Sequence, residues 1–336
     1  MKTRKLRGMT VSAVGMGCMG FSHGYGALPP EDEAIRLIRS AYYDYGCTLF
    51  DTAEGYGPYV NEELVGKAVK PFRDKITLCT KFMPEVFLPG QEIPEGKTSR
   101  RGVRNALEAS LKRLQTDHVE LYYEHRVPRH LDVGEVAQWM GEFIKEGLIG
   151  GWGVSEADAD QIRQAHAVTP LTAVQSEYSI MERKYEKEVI PACVELNIGF
   201  VAFSPMASGF LSGKYDSKSV FKGDDVRLAI TRFNKENMDA NMPLLDLLKQ
   251  FAADKGATPA QISLAWMLNK WSNVVPIPGM RRDERLKENF GAADIELTAD
   301  ELSKLEEALS KITIHGDRKD SDIQNKLGTV KVHAKE

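Results

Sequence analysis

Short apolar runs alternate with longer amphipathic stretches along this chain, and the alternation repeats eight times. The runs are SAVGMG (12–17), TLFD (48–51), ITLCTK (76–81), VELYYEH (119–125), IGGWGVS (149–155), AVQSEY (173–178), GFVAFS (199–204) and VVPIP (274–278). Between them stand segments such as EDEAIRLIRSAYYDYG, SRRGVRNALEASLKRLQ, VGEVAQWMGEFIKEG and MPLLDLLKQFAADKG, whose apolar residues recur at the three- and four-residue spacing of an amphipathic helix. Several end in glycine, the usual residue just past a helix C-terminus. Eight strand–helix units with no shift in composition between the halves point to a (β/α)8 barrel, a fold of about 250 residues. The 336 residues therefore leave room for more. TRKLRGMTVSAV predicts an N-terminal β-hairpin turning near Arg7 and Gly8. Residues 82–97 and 205–240 predict long loops after the third and seventh strands, a length usually kept for function. The expected organisation is one barrel domain over 1–312 and a polar tail over 313–336 that packs on or near it. An open, doubly wound sheet is the alternative fold.

Gly15, Gly17 and Gly20 in VGMGCMGF have the G-x-G-x-x-G spacing of a dinucleotide-binding turn. That turn requires a helix to start on the glycines and receive the pyrophosphate. Here SHGYGALPP follows, and its glycines and prolines delay any helix to about Glu31. The glycines thus read as a tight strand-to-loop turn.

The charge balance, 44 basic against 48 acidic residues for a net −4, lacks the basic excess that nucleic acid or an anionic membrane demands. Small molecules are the expected partners. Cys18, Cys47, Cys79 and Cys193 show no paired or metal-ligand spacing, and the basic N-terminus is not followed by an uninterrupted apolar segment. A cytoplasmic protein is expected.

Catalytic groups of a barrel sit at the C-terminal ends of its strands. Asp51 ends the second run, Lys81 the third and His125 the fourth, while Tyr56 lies in the glycine-rich AEGYGPY loop beyond Asp51. Singly, each has a structural reading as an ion-pair partner, a hydrogen-bonded polar residue or a packing residue. Jointly, on neighbouring strand ends, they form a proton-donating site. A phenol has an ordinary pKa of about 10, and an ammonium beside it favours the phenolate. Lys81 would supply that charge, Asp51 would hold Lys81, and His125 would donate to a developing oxyanion. Such a group suits protonation of a carbonyl oxygen as hydride reaches carbon. The seven histidines have no metal-ligand spacing, so no metal is expected.

FDTAEGYGPYVNEELVGKAV, LYYEHR, GWGVSE, VQSEYS, FSPMASGFLSGK and PIPGMRRDERLKENFGA resemble successive signature segments of the aldo-keto reductases, and the likeness runs from about residue 3 to about 310. The resemblance implies the same barrel, NADPH-dependent interconversion of aldehydes or ketones with alcohols, and Asp51, Tyr56, Lys81 and His125 as the catalytic four, Tyr56 being the acid in reduction. It implies Ser155 and Gln175 at the nicotinamide carboxamide, with Phe203, where the family usually has tyrosine, stacked on the ring. Gly20 would line the site, and Ser204, Met206, Gly209, Leu211 and Lys214 would follow the pyrophosphate. Gly279 and Met280 would act through backbone, Arg281 and Arg285 at the 2′-phosphate, and Glu288 and Asn289 at the adenine. Substrate choice is expected from Met19, Phe21, Tyr25, Tyr59, Phe82 and Phe87. Pro128 and Arg129 stand where relatives often have an acidic residue, and Glu124 replaces a frequent amide. Since such barrels also serve as NADPH-binding, redox-sensing regulatory subunits, that role is the alternative.

Overall fold

The computed structural model describes residues 1–84, 97–128, 130–319 and 323. Strands β1 (Thr3–Leu6) and β2 (Met9–Ser12) pair antiparallel around the two-residue turn Arg7-Gly8. Arg7 takes φ 51°, the sign that lets a tight hairpin turn follow the strand twist.

The chain then alternates as expected: β3 (Met16–Gly17), α1 (Glu31–Tyr43), β4 (Leu49–Asp51), α2 (Val60–Val69), β5 (Thr77–Phe82), α3 (Arg100–Leu114), β6 (Leu121–Glu124), α4 (Val133–Lys145), β7 (Trp152–Ser155), α5 (Ala159–Val168), β8 (Ala173–Glu177), α6 (Val189–Glu195) and β9 (Gly199–Phe203). The seventh connection holds three helices, α7 (Lys235–Ala240), α8 (Met242–Lys255) and α9 (Pro259–Lys270), before β10 (Val274–Pro276). Helices α10 (Asp283–Gly291) and α11 (Ala299–Ser310) follow.

Spatial order from β3 to β10 matches chain order, and every neighbouring pair is parallel. The first and last strands then meet. Gly15 N–H donates to the Pro276 carbonyl at 2.9 Å, Gly17 N–H to that of Pro278 at 3.2 Å, and Gly17 bridges Gly279. These contacts close the (β/α)8 barrel. They also explain the opening glycines: a Cβ on Gly17 would lie 2.7 Å from the Ile277 carbonyl oxygen. Closure, not a pyrophosphate, requires glycine there. After Gly17 comes only a single 3-10 turn, Met19–Phe21, and the first α-helix waits until Glu31.

Because strand side chains alternate, every second residue enters the barrel. Leu49, Cys79, Leu121, Tyr123, Ala173, Val201, Val275 and Ile277 form one buried cluster with Leu6 and Val11 of the hairpin, which plugs the N-terminal end. The alternate residues, Phe50, Leu78, Tyr122, Trp152, Val154 and Phe200 among them, join the outer core beneath the helices. A fully buried side chain of this kind contributes roughly 1.5–3 kcal/mol. The filled lower barrel leaves the opposite end for chemistry.

Candidate active site

One alternation beyond the plug, the inward positions turn polar. Leu49 is followed by Asp51, Cys79 by Lys81 and Tyr123 by His125, all buried. Lys81 Nζ donates to Asp51 Oδ1 at 2.5 Å, the Thr52 carbonyl at 2.7 Å and Tyr56 Oη at 3.2 Å. All three donors of the ammonium are used. Gln175 Nε2 donates to the other Asp51 oxygen at 2.8 Å. The Tyr56 ring stands nearly perpendicular to the His125 ring, 5.8 Å between centroids. The structure thus brings together the four residues expected at the strand ends.

Burial opposes the Lys81 charge, yet Asp51 and Tyr56 together hold its pKa above the ordinary lysine value. Burial raises the Tyr56 pKa, and Asp51 adds to this while Lys81 pulls down. The net direction is up, against the lowering expected from Lys81 alone, because the phenolate would sit in a dry site. The phenol is thereby kept protonated. Burial, with the charges of Arg126, Lys81 and Arg318, drives His125 well below its ordinary value. A neutral imidazole still offers one N–H to a carbonyl oxygen.

The Tyr56 turn is fixed locally. Tyr59 at φ 70° and Gly57 at φ 80° fold it back, Tyr59 N–H donating to the Glu54 carbonyl at 2.8 Å. Asn61 anchors its far end, receiving the Thr52 hydroxyl at 2.6 Å and donating to the Cys18 carbonyl at 2.9 Å.

Next around the rim, Ser155 and Gln175 are register partners on β7 and β8, and Phe203 pairs with Glu177 across β8 and β9. The segment after β9 is strained. Ser204 (φ 47°), Ala207 (φ 47°) and Ser208 (φ 54°) are left-handed without being glycine, and Gly209 takes φ 99°. Such outliers cost of order 1–3 kcal/mol each and cluster where backbone meets a ligand. Met206 is half-buried and Leu211 buried, while Lys214 is exposed beside a cleft of about 460 Å³ that it lines with Tyr215, Lys222 and Arg227. Cationic side chains in a cleft that follows the strained segment in the chain suit a phosphate-bearing ligand.

Past β10, Gly279 is exposed and Met280 fully buried. Arg281 donates to the carbonyls of Gly20, Tyr25 and Ala27. Those bonds use three of its five donors, so it braces the β3–α1 loop and keeps two in reserve. Arg285 pairs with Glu288 one turn along α10, and Asn289 is buried behind them.

The residues expected to choose substrate do not all reach the mouth. Met19, Phe21 and Tyr25 lie in the β3–α1 loop, where Tyr25 bridges Asp225 of the β9–α7 segment. Phe82 points to the outer core, 5.5 Å from Tyr122, because strand alternation sends it away from Lys81. Tyr59 is 47% exposed with the Arg113 guanidinium 4.6 Å over its ring. Phe87 and Arg129 lie outside the described residues.

Two arginines missing from the expected set do reach it. Arg126 donates to Ser155 Oγ at 3.1 Å and lies 5.9 Å from the Phe203 ring centre. Arg318 lies 5.1 Å from the same ring, carried there by the tail, whose Asp317 is held by Thr231 and whose His315 is held by Asn241. In the sequence only Arg126, the last residue of LYYEHR, stands beside a motif position; Arg318 lies in the polar tail with nothing but its charge to mark it. Among the described residues no cluster of His, Cys, Asp or Glu could hold a metal ion.

A family model described as the aldo/keto reductase family matches residues 13–310. The chain is 39% identical over 314 residues to probable aldo-keto reductase 1 of Glycine max, covering 93% of this chain and 89% of the relative. Among solved structures, a thermostable aldo-keto reductase, Tm1743, bound to the inhibitor epalrestat is 29% identical, with a TM-score of 0.73 over 92% of this chain and 100% of that one. An aldo-keto reductase from Klebsiella pneumoniae in complex with NADPH is 25% identical, with a TM-score of 0.70 over 94% and 99%.

Proposed function

The chain belongs to the aldo/keto reductase family, and from that premise we propose that it is a cytoplasmic, NADPH-dependent reductase of aldehydes or ketones, acting on CH–OH/C=O pairs with Tyr56 as proton donor. The carrying observation is the single ammonium that touches both Asp51 and the Tyr56 hydroxyl. Four buried, free thiols suit a reducing compartment. No helix among the described residues is long and apolar enough to cross a membrane.

The cofactor is NADP(H), which when bound supplies the hydride. Ser155 and Gln175 would hold its carboxamide and Phe203 its ring face. The strained segment through Ser204, Met206, Gly209 and Leu211, with Lys214, would receive the pyrophosphate. Arg285 and the spare donors of Arg281 would meet the 2′-phosphate. The neutral His125 orients the carbonyl oxygen of a small substrate. Tyr56 passes its proton to that oxygen, and Lys81, held charged by Asp51, stabilises the phenolate left behind.

The test is NADPH oxidation with a panel of aromatic and aliphatic aldehydes. The parent should turn over, and Tyr56→Phe should lose roughly 10²–10⁴ in kcat with NADPH affinity nearly intact. A variant within about threefold of the parent rejects the assignment. NADPH binding without turnover by the parent would favour the regulatory-subunit reading instead.

A further inference from the structure

Glu54 stands two residues before Tyr56 and is 3% exposed. A buried carboxylate is costly unless its charge and lone pairs are met. Here one oxygen, Oε1, accepts the Met83 backbone N–H at 2.8 Å and the Lys97 ammonium at 2.5 Å. The backbone of the same residue works in both directions. Its N–H donates to the Lys81 carbonyl at 3.3 Å, and its carbonyl accepts from Tyr59 N–H at 2.8 Å.

Glu54 therefore ties three pieces of chain to one another. Its main chain joins the turn that carries the phenol to the last residues of β5, where Lys81 sits. Its side chain adds Met83, just after β5, and Lys97, just before α3. The Tyr56 Oη to Lys81 Nζ distance of 3.2 Å spans the Tyr56 turn and the end of β5, which Glu54 ties together from the Met83 side. A displacement of about 1 Å in such a pair costs on the order of 10²-fold in rate.

We propose that Glu54 is a positioning residue for the proton donor, holding the Tyr56 turn against the end of β5 so that the phenol stays within reach of Lys81. The inference rests on the proposed reductase function. It requires that loss of Glu54 act through Tyr56 and through no other route to turnover.

The experiment is a double-mutant cycle on kcat for aldehyde reduction, with NADPH affinity measured alongside. Glu54→Ala should lower kcat roughly 10–100-fold while the NADPH Kd stays within about twofold. Glu54→Gln, which keeps an acceptor for Met83 N–H, should lose less. In a Tyr56→Phe background, Glu54→Ala should cost under about threefold, the non-additivity expected of residues acting as one unit. Lys97→Met, at a partly exposed site, gives the same cycle should Glu54→Ala fold poorly. Equal losses in both backgrounds, or an unchanged kcat, overturn the inference while leaving the proposed function standing. A parent without carbonyl turnover, or a Tyr56→Phe variant that loses nothing, overturns the function and this inference with it.

Discussion

At the scale of single residues, the barrel mouth shows how one strand position decides between chemistry and liability. His125 enters the barrel and meets Tyr56; Glu124, its neighbour in sequence, falls on the opposite face of the strand and is fully buried there. Among the described residues neither Glu124 oxygen has a hydrogen-bond partner, and burial lifts its pKa to about 8. In the unfolded chain the group titrates near 4.3. Because the folded value is the higher, the stabilising difference is complete below the unfolded pKa and lost as pH rises through about 8. Unfolding free energy should therefore fall between pH 5 and 8, and Glu124→Gln should flatten that fall. Denaturant unfolding of both proteins at pH 5, 6.5 and 8 checks it; parallel curves would rule the ionisation out. The same alternation explains what was legible. Asp51, Lys81 and His125 end apolar runs and can be found by position alone, whereas Phe82, next to Lys81 and expected in the substrate pocket, is faced outward by the same alternation. The Glu54 side chain and the Gln175–Asp51 bond give no local signal, since the side-chain partners are 29 or more residues away in sequence.

At the scale of elements, the long seventh connection and α10 frame the cofactor region. The expected helix there is α8; α9 carries no such signal because it is buried nearly all round, from Ala260 through Leu268, and so lacks the polar stripe that marks an amphipathic helix. Its signature was in the cap: Thr258 and Gln261 bond each other's backbone and Pro259 takes the first turn. The two arginines of the α10 entry, equivalent in the sequence reading, have different work. Arg285 faces Glu288, while Arg281 holds three carbonyls of the β3–α1 loop. A charged hydrogen bond contributes roughly 1.5–3 kcal/mol, so Arg285→Ala should weaken NADPH binding about tenfold or more and leave NADH within about twofold. Arg281→Ala should weaken both cofactors, because it also frees a loop. Fluorescence titration of the two nucleotides against each variant separates these cases, and equal losses of NADPH and NADH for Arg285→Ala would remove it from the 2′-phosphate.

At the scale of the whole molecule, eight alternating units were enough to read a closed barrel, while the site of closure was hidden in glycines that resembled a nucleotide turn. Gly17→Ala should cost about 1–3 kcal/mol through its clash with the Ile277 carbonyl, visible as a lower denaturation midpoint with an unchanged slope. A slope change would mean that the barrel opens instead of straining. The seam between β3 and β10 has a further meaning for how the chain is made. Its two sides are separated by most of the sequence, so on a ribosome the sheet grows strand by strand with two bare edges until residues 274–278 emerge. Contacts this distant in sequence form late and expose sticky intermediates meanwhile. Leu6 and Val11, synthesised well before Val275 and Ile277, cannot complete their packing against them until almost the whole barrel exists. The hairpin thus waits through the making of the whole barrel for its last partners, and residues made before any barrel strand are among the last to be fully buried.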